Sequence, residues 1–175
     1  MRVIAGEFRS RQIKSLPGTD LRPTPDRLRE TLFNILAPSI RGSIFVDAYA
    51  GTGAVGIEAL SRGAARAIFL EKSKAAVSLI RENLDALGIL PQATVISGPA
   101  LRELGKERAD IVFIDPPYPL ESEYPQALAL AARSTPGVII AQHSARFNPG
   151  DRVGDLVRYR TVKQSDNALS FYRVA

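Results

Sequence analysis

The stretch Ile44-Phe45-Val46-Asp47-Ala48-Tyr49-Ala50-Gly51-Thr52-Gly53-Ala54-Val55-Gly56 decides the fold. Ile44, Phe45 and Val46 form a short apolar run of the kind that is buried as a strand, and it ends in a carboxylate. Gly51 and Gly53 follow in a loop, where a Cβ would hold the backbone away from a ligand, and an apolar helix then carries Gly56, Ile57, Ala59 and Leu60. The start of that helix offers free N–H groups and a partial positive charge. Gly63 closes it, and Ala67-Ile68-Phe69-Leu70 reads as a second strand ending in another acid, Glu71. Strand, glycine loop, helix, strand and acid make one nucleotide-binding half-domain.

Two cofactors compete for it. Gly51, Gly53 and Gly56 satisfy G-x-G-x-x-G, and Glu71 stands twenty residues after Gly51, as in a dinucleotide fold. The same parts suit S-adenosylmethionine, whose ribose hydroxyls need a carboxylate and which has no pyrophosphate. Asp47 favours the second reading, because it would repel a pyrophosphate but suits the cationic amino group of a methionine moiety. A helix-packing loop without ligand is the bland alternative.

Outward from this half-domain the pattern continues. Ser73 to Leu87 predicts a helix with Val77, Ile80, Leu84 and Leu87 inward and Gly88 just past its end. Ala93–Ser97, Ala109–Ile114 and Gly137–Ala141 read as three more strands, with helices expected from Ala100 and over Ser122–Arg133. Apolar strands alternating with helices predict a parallel sheet covered on both faces. Arg152–Val162 and Ala168–Val174 add an antiparallel pair at one edge. The expected fold is therefore α/β, a doubly wound, mostly parallel sheet of seven strands occupying residues 24–175. At its start, Thr24 as N-cap and Pro25 at the first helical position open a packing helix that Pro38 ends.

Residues 1–23 stand outside that pattern as a small β-hairpin, with Arg2–Gly6 and Arg11–Leu16 as its strands. Arg2, Arg9, Arg11, Lys14 and Arg22 set five positive charges there against Glu7 and Asp20. With Phe8 among them, the segment suits nucleic acid, and equally a solvated hairpin edge. The whole chain, 175 residues with net charge +5, permits a polyanionic partner. It has no cysteine, which excludes disulfides, thiolate metal sites and a cysteine nucleophile. Charges fall too early for a secretory leader and no apolar run approaches a membrane span, so an intracellular, cytoplasmic protein is expected. No cluster of ligands has metal spacing. His143, the single histidine, is expected in a structural or surface role, and Glu58 in packing or capping near the site.

The fourth strand ends in Asp115-Pro116-Pro117-Tyr118-Pro119, beside the glycine loop if the sheet is doubly wound. The prolines stiffen the turn, so the Asp115 carboxylate and the Pro116 carbonyl can face outward as two acceptors. Two acceptors followed by the Tyr118 ring suit a flat base with an exocyclic amine. Hydrogen bonds to them would aim the amine's lone pair at a sulfonium methyl, Asp115 would take the released proton, and Tyr118 would stack on the base.

Asp-Pro-Pro-Tyr after strand four, an acid and Gly-x-Gly after strand one, and an acid after strand two resemble the class I, Rossmann-like amino methyltransferases that use S-adenosylmethionine. Arg2-Val3-Ile4-Ala5-Gly6, Arg22-Pro23-Thr24, Asp26-Arg27-Leu28-Arg29-Glu30, Leu32-Phe33-Asn34-Ile35-Leu36, Glu58-Ala59-Leu60-Ser61-Arg62-Gly63-Ala64 and Asn167-Ala168-Leu169-Ser170-Phe171-Tyr172 are similar to the bacterial RsmD family. That resemblance runs nearly end to end. It implies methylation of N2 of one guanine in 16S rRNA, within an assembled or assembling small ribosomal subunit, by a monomer without metal or membrane. It also implies that the amino-terminal hairpin, with Arg2, Arg9 and Arg11, helps hold RNA and that Arg22, Thr24 and Arg27 border the active site. Asp47, Tyr49, Gly51, Gly53, Glu71 and Asp115 would hold the cofactor. Tyr49 stands where the family more often has Phe. Ser97-Gly98-Pro99 lacks the usual polar residue for the cofactor's adenine, which leaves the Ala100 N–H for that contact. Adenine-N6 methylation, and a nucleic-acid-binding module with an inert cofactor fold, remain as alternatives, because the Asp115 chemistry does not tell one ring amine from another.

Overall fold

The computed structural model describes residues 1–17, 24–134 and 136–175. Five parallel strands form its centre: β1 (Ile44–Ala48), β2 (Arg66–Glu71), β3 (Ala93–Ser97), β4 (Ile111–Ile114) and β5 (Val138–Ser144). β6 (Arg152–Val153), β7 (Leu156–Gln164) and β8 (Asn167–Val174) extend it in antiparallel fashion, giving the order β3-β2-β1-β4-β5-β8-β7-β6. The expected seven strands are eight because the stretch read as Arg152–Val162 breaks at Gly154-Asp155, and the two halves pair as a tight hairpin.

Each parallel crossover needs a helix. α1 (Asp26–Ile40) leads into β1, α2 (Ala54–Ser61) joins β1 to β2, and α3 (Lys74–Ala86) joins β2 to β3. α4 (Ala100–Glu103) and α5 (Tyr124–Ala132) follow β3 and β4. Alternation along the strands sends Phe45, Phe69, Phe113 and Ile140 to one face, under Leu32, Phe33, Ile57 and Ile80 of α1, α2 and α3. Val46, Ile68, Val112 and Ile139 face the other way, under Leu104, Tyr124 and Leu128. Gly56 of α2 lets the helix lie close on β2, since a Cβ there would lie 2.3 Å from the Phe69 ring.

Several boundaries differ from expectation. α1 starts at Asp26, with Pro25 in the cap position and no side-chain cap, because Thr24 is turned inward and buried. It runs through Pro38 to Ile40. The carbonyl that Pro38 leaves unpaired belongs to exposed Asn34, which water can satisfy, and burial of Ile40 holds the last turn. The expected helix over Ser122–Arg133 is a 3₁₀ segment, Tyr118–Glu123, followed by α5. The helix expected over Ser73 to Leu87 is Lys74–Ala86, with Ser73 as its N-cap accepting from the Ala76 N–H.

The amino-terminal segment forms a turn closed by one bridge, Arg2 with Gln12, in place of two strands. Val3 and Ile13 donate across the turn to the Arg11 and Met1 carbonyls, and other backbone donors go to α2. Glu58, fully buried, accepts from the N–H groups of Ile4 (2.9 Å) and Ala5 (3.0 Å) and from Arg62 Nε (2.8 Å). Ser61 donates to the Ala5 carbonyl, and its own carbonyl accepts from Glu7. A Cβ on Gly6 would lie 2.1 Å from that same carbonyl. Val3 and Ile13 are buried in the core that contains Phe33 and Ile57. Arg29, also without exposure, lies with Nε 3.8 Å from Glu58 and donates through Nη2 to the Arg2 carbonyl and to Asp26. Burial lowers the Arg29 pKa, against the pull of Glu58 and Asp26.

Removing one partner of a buried ion pair leaves the other charge uncompensated. Glu58→Ala is expected to cost about 3–5 kcal/mol by urea unfolding, and adding Arg29→Met to recover part of that loss. If Glu58→Ala unfolds at the parental midpoint, the cluster does not hold the segment.

Candidate active site at the strand ends

Strand register defines the site. Ala48 is level with Leu70 and with Ile114, Ile114 with Ala141, and Glu71 with Ser97. One residue further, Ser97, Glu71, Tyr49, Asp115 and Gln142 make a row across the carboxyl ends of β3, β2, β1, β4 and β5. Doubly wound sheets bind ligands beyond such a row. Glu71, Tyr49 and Asp115 are the three of these that the sequence singles out as site residues; Gln142 was missed because its polar side chain ends a run of apolar strand residues.

The two acids after β1 and β2 brace the loop between them. Asp47 accepts from the Gly56 N–H (2.9 Å) and Glu71 from the Gly51 N–H (2.8 Å), while the second Glu71 oxygen accepts from Ser73 (2.8 Å). Tyr49 takes φ +60, and its hydroxyl donates to Glu123 (2.5 Å). A left-handed non-glycine residue costs about 1–3 kcal/mol, so this pairing holds a strained point of the loop. Glu123 is a second residue that sequence did not reveal, since 74 positions separate it from Tyr49.

Charge is the site's main property. Burial, above all, raises the Asp47 pKa well above the ordinary value; its bond from Gly56 opposes this, and the charges of Asp115 and Glu71 add to it. Burial alone pushes Asp115 up to about 7. Crowding of acids thus adds to the Asp47 shift, whereas the Asp115 shift comes from loss of solvent alone. Pro116 is buried behind Asp115, whereas Tyr118 is 80% exposed and its ring is free of the core. Ala100 heads α4 and is buried, next to the Gly98 N–H that donates to the Glu71 carbonyl. Gly51 and Gly53 lie in the loop facing the row, Gly53 capping α2. Among the described residues no group of three or more His, Cys, Asp or Glu is placed to hold a metal ion. His143 is engaged in the fold, bonded to Ser170 Oγ (2.7 Å) and to the Ser144 carbonyl (2.8 Å).

The basic residues divide between the two ends of the sheet. Thr31, beside Gln164 at the end of β7, donates to the Arg27 carbonyl, so exposed Arg27 and buried Thr24 lie at the site end. Arg9 is exposed in the turn that packs on Ser61, and Arg11 donates to the Ala86 carbonyl, both at the far ends of α2 and α3. The exposed Arg2 side chain lies on the same segment, while Phe8 packs partly against the core. Arg22 lies outside the described residues.

A glycine loop after β1, acids after β1, β2 and β4, and this strand order define a Rossmann-like domain of the class I methyltransferase type. The chain belongs to the family described as Conserved hypothetical protein 95, whose model matches residues 1–173. It is 34% identical over 182 residues to YlbH of Bacillus subtilis, provisionally named an rRNA methyltransferase, covering 99% of this chain and 98% of that one. It is 42% identical over 123 residues to Ribosomal RNA small subunit methyltransferase D of Haemophilus influenzae, across 67% of this chain and 64% of the relative. The solved structure of yhhF from Escherichia coli, provisionally named a methyltransferase, superposes with TM-score 0.86 at 29% identity, over 99% of this chain and 97% of the other.

Asp115 holds its proton to about pH 7 when folded, against an ordinary 3.8, so the folded chain binds more protons between those values. Stability therefore falls as pH rises through that window, with a slope of up to about 1.4 kcal/mol per pH unit for one proton. Asp47 acts in the same direction. Asp115→Asn stays neutral and is expected to flatten the slope and to be more stable than the parent at pH 8. Urea titrations at pH 5 and pH 8 measure this; parental slopes in the variant would mean that Asp115 is well solvated.

Proposed function

We propose that this chain transfers a methyl group from S-adenosylmethionine to the exocyclic N2 amine of a guanine in 16S rRNA, within an assembled or assembling small ribosomal subunit. The observation that carries this reading is the convergence of Asp47, Glu71 and Asp115 on the glycine loop, with the pKa values of Asp47 and Asp115 raised. Such a site favours a cation and disfavours a pyrophosphate. When bound, S-adenosylmethionine supplies an electrophilic methyl on a positively charged sulfur. Glu71, oriented by the Gly51 and Ser73 amides, keeps lone pairs for a ribose diol. Asp47 sets the loop against α2 and contributes negative charge for an ammonium group.

Asp115 must be ionised to work, and a cation beside it lowers its pKa from the ligand-free value. Ionised, it accepts from the target amine and then takes its proton, while the Pro116 carbonyl is the second acceptor and Tyr118 stacks on the turned-out base. Arg27 at the site end suits nearby phosphates. Arg9 and Arg11, at the opposite end, suit RNA well away from the target base.

Single-turnover methylation of small ribosomal subunits tests the reading, with cofactor binding measured separately by calorimetry. Asp115→Ala is expected to keep cofactor binding and to lose on the order of 10²-fold or more in rate. Tyr118→Ala loses rate and apparent substrate affinity together, and Tyr118→Phe keeps most of both. Asp115→Ala methylating at the parental rate would sink the mechanism, and a methyl group mapped to adenine N6 would sink the choice of amine.

A further inference from the structure

Gln142 is a polar residue at the end of an otherwise apolar strand. It is 6% exposed, and its Oε1 is buried without a hydrogen-bond partner. Buried acceptors are almost always paired, so an orphan at a strand end calls for an explanation. Its position supplies one. In register Gln142 stands beside Asp115, one strand over, in the row that also contains Tyr49 and Glu71. Its side chain shares a face with Ile140 and with its cross-strand partner Leu169, the face on which Asp47 meets α2. The backbone there is held, because the Tyr124 hydroxyl donates to the Gln142 carbonyl and Tyr124 in turn feels the Asp115 charge.

Resting on the function proposed above, we infer that Gln142 is a specificity-determining residue that reads the ring edge next to the amine presented to Asp115. With N2 of guanine at Asp115, the next groups along the base edge are the N1–H donor and the O6 acceptor. The amide of Gln142 complements both: Oε1 accepts from N1–H and Nε2 donates to O6. Adenine with its N6 amine at Asp115 presents N1, an acceptor, where guanine presents a donor. The unpaired Oε1 thus selects a guanine, which the Asp115-Pro116 pair by itself does not.

The test compares reconstituted small subunits carrying either guanosine or 2-aminopurine at the target nucleotide. 2-Aminopurine keeps the N2 amine but has an acceptor at N1 and no O6. Single-turnover rates are measured for the parent, Gln142→Leu and Gln142→Asn, with S-adenosylmethionine affinity as the check on folding. The parent is expected to prefer guanosine by about tenfold or more, the usual scale for a bidentate amide–base pair. Gln142→Leu fills the same space without polar atoms, so its preference is expected to fall to near one, chiefly through a slower reaction on guanosine, at parental cofactor affinity. Gln142→Asn, with the same groups one methylene shorter, gives a ratio between the two and serves if the leucine variant loses cofactor binding. A parental ratio in either variant would make Gln142 a core residue and overturn the assignment alone. A parent inactive on guanosine subunits would overturn the proposed function, and this assignment with it.

Discussion

Two carboxylates accepting hydrogen bonds from a glycine loop are the constraint on which the rest of this site depends. Asp47 holds the Gly56 N–H and Glu71 holds the Gly51 N–H, so the acids that end β1 and β2 grip the chain that connects them. Backbone amides at a buried loop must find acceptors, and here the acceptors are the groups that also set the charge of the site. Tyr49 can remain at φ +60 because Glu123 holds its hydroxyl from the segment after β4. The loop, the β4 turn and α2 are therefore positioned together, and the row at the strand ends inherits its geometry from them.

A second buried network does the same for the amino terminus. Glu58 uses both oxygens on the Ile4 and Ala5 amides and is flanked by Arg62 and Arg29. Val3 and Ile13 still donate across the turn, to the Arg11 and Met1 carbonyls, while the Ile4 and Ala5 amides go to a helix side chain. The segment becomes part of the body, with Val3 and Ile13 in its core, and its cationic turn is carried to the end of α2 away from the strand-end row. Arg27 of α1 sets positive charge at the site end, where Lys72 also follows Glu71.

Electrostatics links the fold to its proposed chemistry. Three acids around one loop raise the free energy of the ligand-free site, most where burial keeps water away, and a cationic ligand offsets that. Burial holds the Asp115 pKa at about 7 without a ligand, and a positive sulfur beside it would favour ionisation. His143 is fully used elsewhere, bridging β5 to Ser170 of β8.

The doubly wound fold was legible in the sequence because it rests on local signals: apolar runs of strand length, helical stripes, and acids and glycines placed just after strands. Asp47, Gly51, Gly53, Glu71 and Asp115 could be picked out for the same reason, since each sits at a fixed offset from the strand before it. Tertiary structure alone decided what depends on contacts between distant segments. A packing or capping role could be expected of Glu58, but not its partners, the amides of Ile4 and Ala5 more than fifty residues earlier. Arg9 and Arg11 look like site residues in a basic stretch, and packing against Ser61 and Ala86 sends them to the opposite end. Gln142 has no motif around it, and only the parallel register of β4 and β5 sets it beside Asp115. Periodicity and turn chemistry are written residue by residue along the chain, whereas the partner of a buried polar group is chosen by the fold.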